Sequence, residues 1–314
     1  MKSILLIITS ISLSTLFIYF FQKLFIQKNI IDKKNDRSSH NVRATRSGGL
    51  AMFCTLFIIS SINYFNSVEI FDYSLIVPIS LMLVVGLYDD IYKLDFKLKF
   101  IFQIIAAKII IDNGLIIDNL HGVLGIYELN RIIAQLLTIF LVVAIINSIN
   151  FIDGIDGLAS TIFIIFIIGF EFFGNSVSPY FSLSIILVMS LLPLIYFNFR
   201  KKNKVFLGDS GSYLLGGVVS IYIIHILTEN YIIKPQYDLH KIIFVVSILF
   251  YPIIDIVRVF FLRLLKGKSP FIADNNHIHH LILSRINSHF KTTLIIVFFS
   301  IITIFIVQVM NLIF

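Results

Sequence analysis

The sequence predicts an all-α, polytopic integral membrane protein, and three observations predict it. Of its 314 residues 58% are hydrophobic and only 14% are charged, whereas a soluble domain carries roughly 25% charged residues. The apolar residues fall in runs of spanning length, rich in Ile, Leu and Phe on all faces rather than along one stripe. No alternation over roughly ten-residue segments marks a β-barrel. With a mean hydropathy of +0.94, this composition excludes a soluble enzyme, a secreted disulfide scaffold and a disordered chain. The lone Cys54 precludes an internal disulfide.

At about 20 residues per span, the apolar material suffices for about ten transmembrane helices. The runs fall at 3–22, 48–65, 73–88, 98–114, 129–149, 158–173, 180–198, 211–228, 241–261 and 292–313. The first passes through Phe20, Phe21 and Gln22 into Lys23 without a small-residue cleavage site, so it reads as a span rather than a signal peptide. The run at 98–114, interrupted by Lys108, is the weakest. Residues 1–314 read as one transmembrane domain, with its polar motifs between 37 and 280.

Orientation follows from the basic residues. Segments 23–47, 89–99, 198–210 and 262–291 hold 19 of the 25 Lys and Arg residues, all on alternate loops. The positive-inside rule makes those loops cytoplasmic and, with ten spans, puts both termini outside. The net charge of +7 therefore marks topology and attraction to a lipid bilayer, and no nucleic acid is implied.

The unusual polar residues gather on the same face. Asp89 and Asp90 end the third span. Then come Asn147-Ser-Ile-Asn150-Phe-Ile-Asp153-Gly-Ile-Asp156-Gly, Phe206-Leu-Gly-Asp209-Ser-Gly, and Asp274 with His277-Ile-His279-His280. Segment 37–49 adds Arg37, His40, Arg46, Gly48 and Gly49. Carboxylates gathered beside a low-dielectric slab repel one another and lose hydration. A bound divalent cation is the simplest compensation, and oxygen ligands from Asp and Asn suit Mg²⁺ or Mn²⁺. Zinc, suggested by the histidines, lacks a Cys partner here. The Asp/Gly motifs each precede an apolar run, so their polar residues read either as helix N-caps or as a cradle for phosphate oxygens. Their coincidence with Asp89, Asp90, Arg46 and Lys99 favours a metal–phosphate site.

These motifs, in this order from Arg37 to His280, closely resemble those of the polyprenyl-phosphate N-acetylhexosamine-1-phosphate transferases, glycosyltransferase family 4. The superfamily includes undecaprenyl-phosphate GlcNAc-1-phosphate transferases and phospho-MurNAc-pentapeptide translocases; the His motif resembles the former branch. One departure stands out: Arg43 and Thr45 occupy positions where the family commonly has proline.

The resemblance implies an enzyme of the bacterial inner membrane with its site facing the cytoplasm. It implies Mg²⁺, a UDP-sugar donor and undecaprenyl phosphate as acceptor. By position, Asp209 and Asn150 resemble the metal ligands, Phe206 the aromatic on which uracil stacks, and Asp156 the residue reading the uracil edge. Lys99 resembles a phosphate contact, and Asp89 and Asp90 the pair that orients or deprotonates the lipid phosphate. Asp153, Arg46, Asn147 and the His277–His280 segment fall where the family contacts pyrophosphate and sugar. UDP-GlcNAc is the first expectation for the donor, UDP-N-acetylfucosamine or a related deoxy sugar the second. The product would open a cell-envelope glycan such as O-antigen lipopolysaccharide or a cell-wall polymer.

Other polar residues read as structural. Asp255 and Arg258, three apart, suit an intrahelical ion pair. Lys108 and Glu171 near span ends suit snorkelling. His121, His225, His240 and His289 lack motif partners, and the Lys201–Lys204 run reads as a topology determinant. A homodimer is open on the sequence, since lipid-facing and protein-facing apolar helices look alike. An intramembrane aspartyl protease would need Gly where Phe206 stands, and a transporter would place its acids near the bilayer midplane.

Overall fold

A computed structural model of the chain describes residues 2–31, 44–174, 177–228, 239–267 and 276–313. Arg37, His40, Arg43 and Asp274 lie outside these described residues. The helices in chain order are α1 (Lys2–Gln27), α2 (Gly48–Phe65), α3 (Ile76–Tyr92), α4 (Phe96–Asp112), α5 (Arg131–Ile152), α6 (Leu158–Phe173), α7 (Phe181–Asn198) and α8 (Gly208–Ile226). After these come α9 (Leu239–Ile248), α10 (Phe250–Leu265), α11 (Ile278–Ile286) and α12 (His289–Ile313). Two short strands, β1 (Ala44–Thr45) and β2 (Lys204–Val205), pair in parallel. The protein is all-α and multi-pass.

Among the described residues, six helices are long and apolar enough to cross a membrane, or seven if the bent pair α9–α10 is one span. The expected count of ten is thus reached only in part by length and composition. Each of the other expected runs is nevertheless a helix. Helix α4 carries Lys97, Lys99, Lys108 and Asp112, and α6 is shorter, at 16 residues. The expected continuous span 241–261 is broken: α9 and α10 meet at 77°. Pro252 stands in the first turn of α10, where a missing N–H costs little, and its ring would clash inside an unbroken helix. The loop expected over 262–291 also contains a helix, α11.

Helix α8 is the axis of the fold. Almost every residue from Gly208 to Ile226 is buried, so it faces protein rather than lipid and tolerates serine and glycine. Small residues let its neighbours close in. A Cβ at Gly86 of α3 would lie 2.3 Å from the Asp209 carbonyl oxygen, one at Gly49 of α2 2.2 Å from Gly211 N, and one at Gly216 2.6 Å from Ile146 Cα on α5. Hydroxyls in these buried faces return to their own helix backbones, as Ser220 Oγ does to Gly216 O at 2.8 Å. The remaining core is apolar, with Phe163, Phe166, Phe170 and Phe197 fully buried.

Glycine-mediated approach to α8 predicts an ordered stability series. Gly86→Ala should lower the melting temperature of the detergent-purified protein substantially, because overpacking against backbone exceeds the about 1–3 kcal/mol of ordinary overpacking. Gly217→Ala, whose Cβ would meet Met82 at an ordinary 3.6 Å, should leave it nearly unchanged.

Candidate active site

The site begins with the end of α3. Gly86 brings the last turn of α3 against the first turn of α8, and Asp90 completes the junction. Its two carboxylate oxygens accept the backbone N–H groups of Asp209 and Ser210, each at 2.9 Å. These are orphan donors at a helix start, where the macrodipole also favours an anion. Arg46 Nη1 lies 3.5 Å from the same carboxylate, which is 1% exposed. Gly208 makes the cap possible: its φ is +75°, and a Cβ there would fall 2.6 Å from Asp90 Oδ2. Asp90 is therefore the cap of α8, supplied by another helix. Neither Asp/Gly motif caps its own helix by side chain, so the N-cap alternative fails for both.

Asp89, on the adjacent position, is buried and turned the other way. It pairs with Lys99 of α4 and accepts Leu94 N–H at 2.7 Å. Its carboxylate also lies within hydrogen-bonding reach of the Asp209 carboxylate. On the far side of Asp209, Asn150 Nδ2 of α5 donates to Asp209 Oδ1 at 2.8 Å and to Ser212 Oγ at 2.9 Å. Asp153 closes the ring. Its pKa is raised well above the ordinary value by burial and by the charges of Asp209, Asp90 and Asp156, with Arg46 opposing.

The second half of the site is the loop between α5 and α6. Asp156 is buried, pairs with Lys204 of β2 and faces His289 Nδ1 of α12 at 3.7 Å, while Thr293 Oγ1 donates to its carbonyl at 3.0 Å. Phe206 is fixed through its backbone: its N–H donates to Thr45 O at 2.8 Å, and its carbonyl accepts Gly48 N–H at 3.0 Å. The β1–β2 pair thus holds Arg46 and Phe206 over the start of α8. Asn147 lies one turn before Asn150, and its amide is engaged by Gln103 of α4 at 2.7 Å.

The histidines arrive on α11. His277 Nδ1 is 2.7 Å from Asp255 Oδ2, and His279 Nδ1 is 2.9 Å from the Tyr251 hydroxyl. A Cβ at Gly154 would stand 3.0 Å from His279 Nε2 and 3.4 Å from His280 Nε2, so this glycine admits the imidazoles to the Asp153–Asp156 loop. Burial, reinforced by His280, pushes the His279 pKa down to about 3, which keeps that ring neutral at pH 7.

The structure thus joins Arg46, Asp89, Asp90, Lys99, Asn150, Asp153 and Asp209 about the start of α8 and sets Asp156, His279 and His280 about the α5–α6 loop, while Asn147, Phe206 and His277 stand on adjoining segments. Three structural readings are corrected. Asp255 does not pair with Arg258; it binds His277, and Arg258 donates to Asn276 O at 2.6 Å. His289 and Lys204 are partners of Asp156 rather than an interfacial residue and a topology marker. Glu171 accepts from Ser178 at 3.2 Å and so is held within the protein rather than snorkelling, whereas Lys108 reaches a half-exposed pair with Asp112 one turn on, at the end of α4. Gln103, Ser212 and Tyr251 were missed; they are uncharged, and only the fold places them.

The family model described as "Glycosyl transferase family 4" matches residues 73–227. The undecaprenyl-phosphate alpha-N-acetylglucosaminyl 1-phosphate transferase of Haemophilus influenzae is 31% identical over 268 residues, covering 81% of this chain and 72% of the relative. The chain belongs to glycosyl transferase family 4. The decaprenyl-phosphate N-acetylglucosaminephosphotransferase of Mycobacterium tuberculosis is 30% identical, over 83% of this chain and 70% of its own length. A probable undecaprenyl-phosphate N-acetylglucosaminyl 1-phosphate transferase of Bacillus subtilis is also 30% identical, over 88% and 75%. The matched family region holds every motif from Asp89 to Asp209, and the relatives' names agree with the phosphate chemistry the geometry suggests.

The capping role of Asp90 has a measurable consequence. Asp90→Ala should cost about 1–2 kcal/mol of stability, the usual range for a lost helix cap, seen as a lower melting temperature. Lys99→Ala, which leaves the buried Asp89 carboxylate without its cation, should also lower the melting temperature, because losing one partner of a buried pair costs more than losing a surface one.

Proposed function

We propose that this protein transfers a sugar-1-phosphate, GlcNAc-1-phosphate first among the candidates, from a UDP-N-acetylhexosamine to undecaprenyl phosphate, with release of UMP. The facing of Asp89 and Asp209 across one small space carries this reading. Two ionised carboxylates at that range are mutually unfavourable in a partly dehydrated setting, and a hard cation relieves them. Among the described residues no group of three or more His, Cys, Asp or Glu is arranged as metal ligands. An ion would draw on Asp209, Asp89 and the Asn150 amide oxygen, with water and substrate oxygens completing the shell, a sparse protein ligation that suits Mg²⁺.

In the reaction an acceptor phosphate oxygen attacks the β-phosphorus of the donor. The new P–O bond forms as the bond to the UMP oxygen breaks, so one pyrophosphate linkage replaces another. Mg²⁺, when bound, neutralises charge on the diphosphate oxygens. Asn150 orients Asp209 through its amide N–H and thereby holds a ligand for that ion in place. Lys99 and Arg46 bring positive charge to the edge of the cluster, reducing the repulsion between two phosphate anions. A phosphate monoester has its second pKa near 6, so the acceptor is largely dianionic at neutral pH and needs orientation more than deprotonation. Asp89, tied to Lys99, suits that orienting role; Asp90, committed to α8, supports the site without touching the acceptor.

The acceptor's tail has a place to go. An apolar cavity of about 360 Å³ lies between α5 and the α9–α10 bend, lined by Leu137, Leu141, Ala144, Val246, Leu249 and Ile253 and reaching Ser148 and Ile149 beside Asn150. A polyprenyl chain in it would run along α5 toward the turn that carries Asn150. The basic loops 89–99 and 198–210 beside the site support, by the positive-inside rule, a site that faces the cytoplasm, in keeping with a location in the bacterial inner membrane.

Membranes carrying the protein, given undecaprenyl phosphate, Mg²⁺ and radiolabelled UDP-GlcNAc, should form a labelled lipid and release UMP. EDTA should abolish the reaction, and Asp209→Ala should lower it at least ~100-fold, as loss of a main electrostatic group does. Retention of near wild-type transfer by both Asp209→Ala and Asp89→Ala would refute the proposal. The raised pKa of Asp153 adds a pH dependence. Below that raised value the loop carboxyl holds a proton that competes with a nearby cation, so the Mg²⁺ concentration for half-maximal activity should fall as pH rises, by up to roughly tenfold per unit for one competing proton. Asp153→Asn should flatten that dependence.

A further inference from the structure

Asp255 lies on α10, within the membrane-spanning part of the chain, and is fully buried. A charged group so placed is costly unless it is paired, and its neighbour on the same helix, Arg258, is turned to Asn276 O. Both carboxylate oxygens instead serve the start of α11. Oδ1 accepts Ile278 N–H at 2.7 Å, and Oδ2 accepts His277 Nδ1 at 2.7 Å. One side chain thus caps the helix that carries the histidines and fixes the tautomer of its first imidazole. With Nδ1–H held by the carboxylate, Nε2 is the nitrogen left to meet a ligand, and among the described residues it makes no hydrogen bond to protein. The ring sits beside Phe151, centroids 5.7 Å apart, and Phe151 follows Asn150 in α5. Among the described residues, the other titratable groups around the pair are His279 of α11 and Tyr251 of α10, which bond each other, with His280 next to His279.

We propose that Asp255 is a positioning residue for the transfer reaction, acting through His277: it presents the Nε2 of that imidazole to the phosphate oxygens of the donor. This rests on the sugar-phosphate transfer proposed above. The carboxylate lets His277 stand either as the Nδ1–H neutral ring or as imidazolium with Nε2–H toward an anion, since a buried carboxylate stabilises both. An amide at the same place does neither. Its oxygen would be kept by Ile278 N–H, and its N–H₂ would face Nδ1, forcing a neutral ring with the proton on Nε2 and disfavouring imidazolium.

The test is a double-mutant cycle in purified enzyme with UDP-GlcNAc, undecaprenyl phosphate and Mg²⁺. Asp255→Asn should lower kcat roughly 10–100-fold, the range for groups that orient a functional histidine, with KM for the donor changed less than about threefold. It should also remove the limb of the kcat–pH profile that His277→Gln removes. In the His277→Gln background, Asp255→Asn should cost less than about threefold more, since residues acting as one unit are non-additive. An Asp255→Asn enzyme within twofold of wild type, an unchanged pH profile, or losses that multiply in the double variant would each overturn the inference. If Asp255→Asn does not fold, Asp255→Glu and Asp255→Gln, alike in length and different in charge, decide instead: Glu should exceed Gln at least tenfold, and equal activity overturns the inference. A wild-type enzyme that transfers nothing would overturn the proposed reaction as well, whereas an active wild type with an unaffected Asp255→Asn would count against Asp255 alone.

Discussion

Two carboxylates, Asp89 at the end of α3 and Asp209 at the start of α8, are held within hydrogen-bonding reach of each other, and much of the surrounding structure serves to keep them there. Left alone, like charges would move apart or take up a proton. They do not move because α8 is clamped. Gly86 and Gly49 let α2 and α3 press against its first turn, and Asp90 ties its first free N–H groups to α3. Asn150 fixes the Asp209 side chain from the α5 side. The fold thus holds the two acids in an arrangement that an incoming cation completes.

The five carboxylates of this face divide the work unequally. Asp90 is a structural anion, neutralised by a helix N-terminus and Arg46. Asp156 is bound to Lys204 and faces His289, linking the α5–α6 loop to β2 and to α12. Asp89 has its own cation in Lys99. Asp209 and Asp153 have no side-chain cation of their own among the pairs described, which is where a cation would relieve the most repulsion. The adjacent acids at 89 and 90 look equivalent in sequence but differ in duty because successive residues of a helix point about 100° apart.

Much of this was legible in the sequence. Period-free apolar runs gave the helices, and the basic loops gave the face on which the motifs meet. The site residues were legible because charge beside a membrane is costly and therefore informative. What was hidden has physical reasons. The α9–α10 bend depends on where Pro252 falls within a run whose hydropathy does not change across it. The partner of Asp255 was misread because spacing favoured Arg258, whereas His277 is far in sequence and near only in the fold. Gln103, holding Asn147, carries no charge and sits in an apolar helix. The caps read for Asp153 and Asp209 failed because the cap of α8 comes in trans, from Asp90.

The central claim is that the Asp89–Asp209 pair forms a divalent-cation site. The most direct measurement is an electron paramagnetic resonance titration of Mn²⁺ into the purified, substrate-free protein and its Asp209→Asn variant. The account predicts one bound Mn²⁺ per wild-type chain, displaced by Mg²⁺, and much weaker binding by the variant. Equal binding by the two proteins, or none to wild type with or without donor, would contradict it.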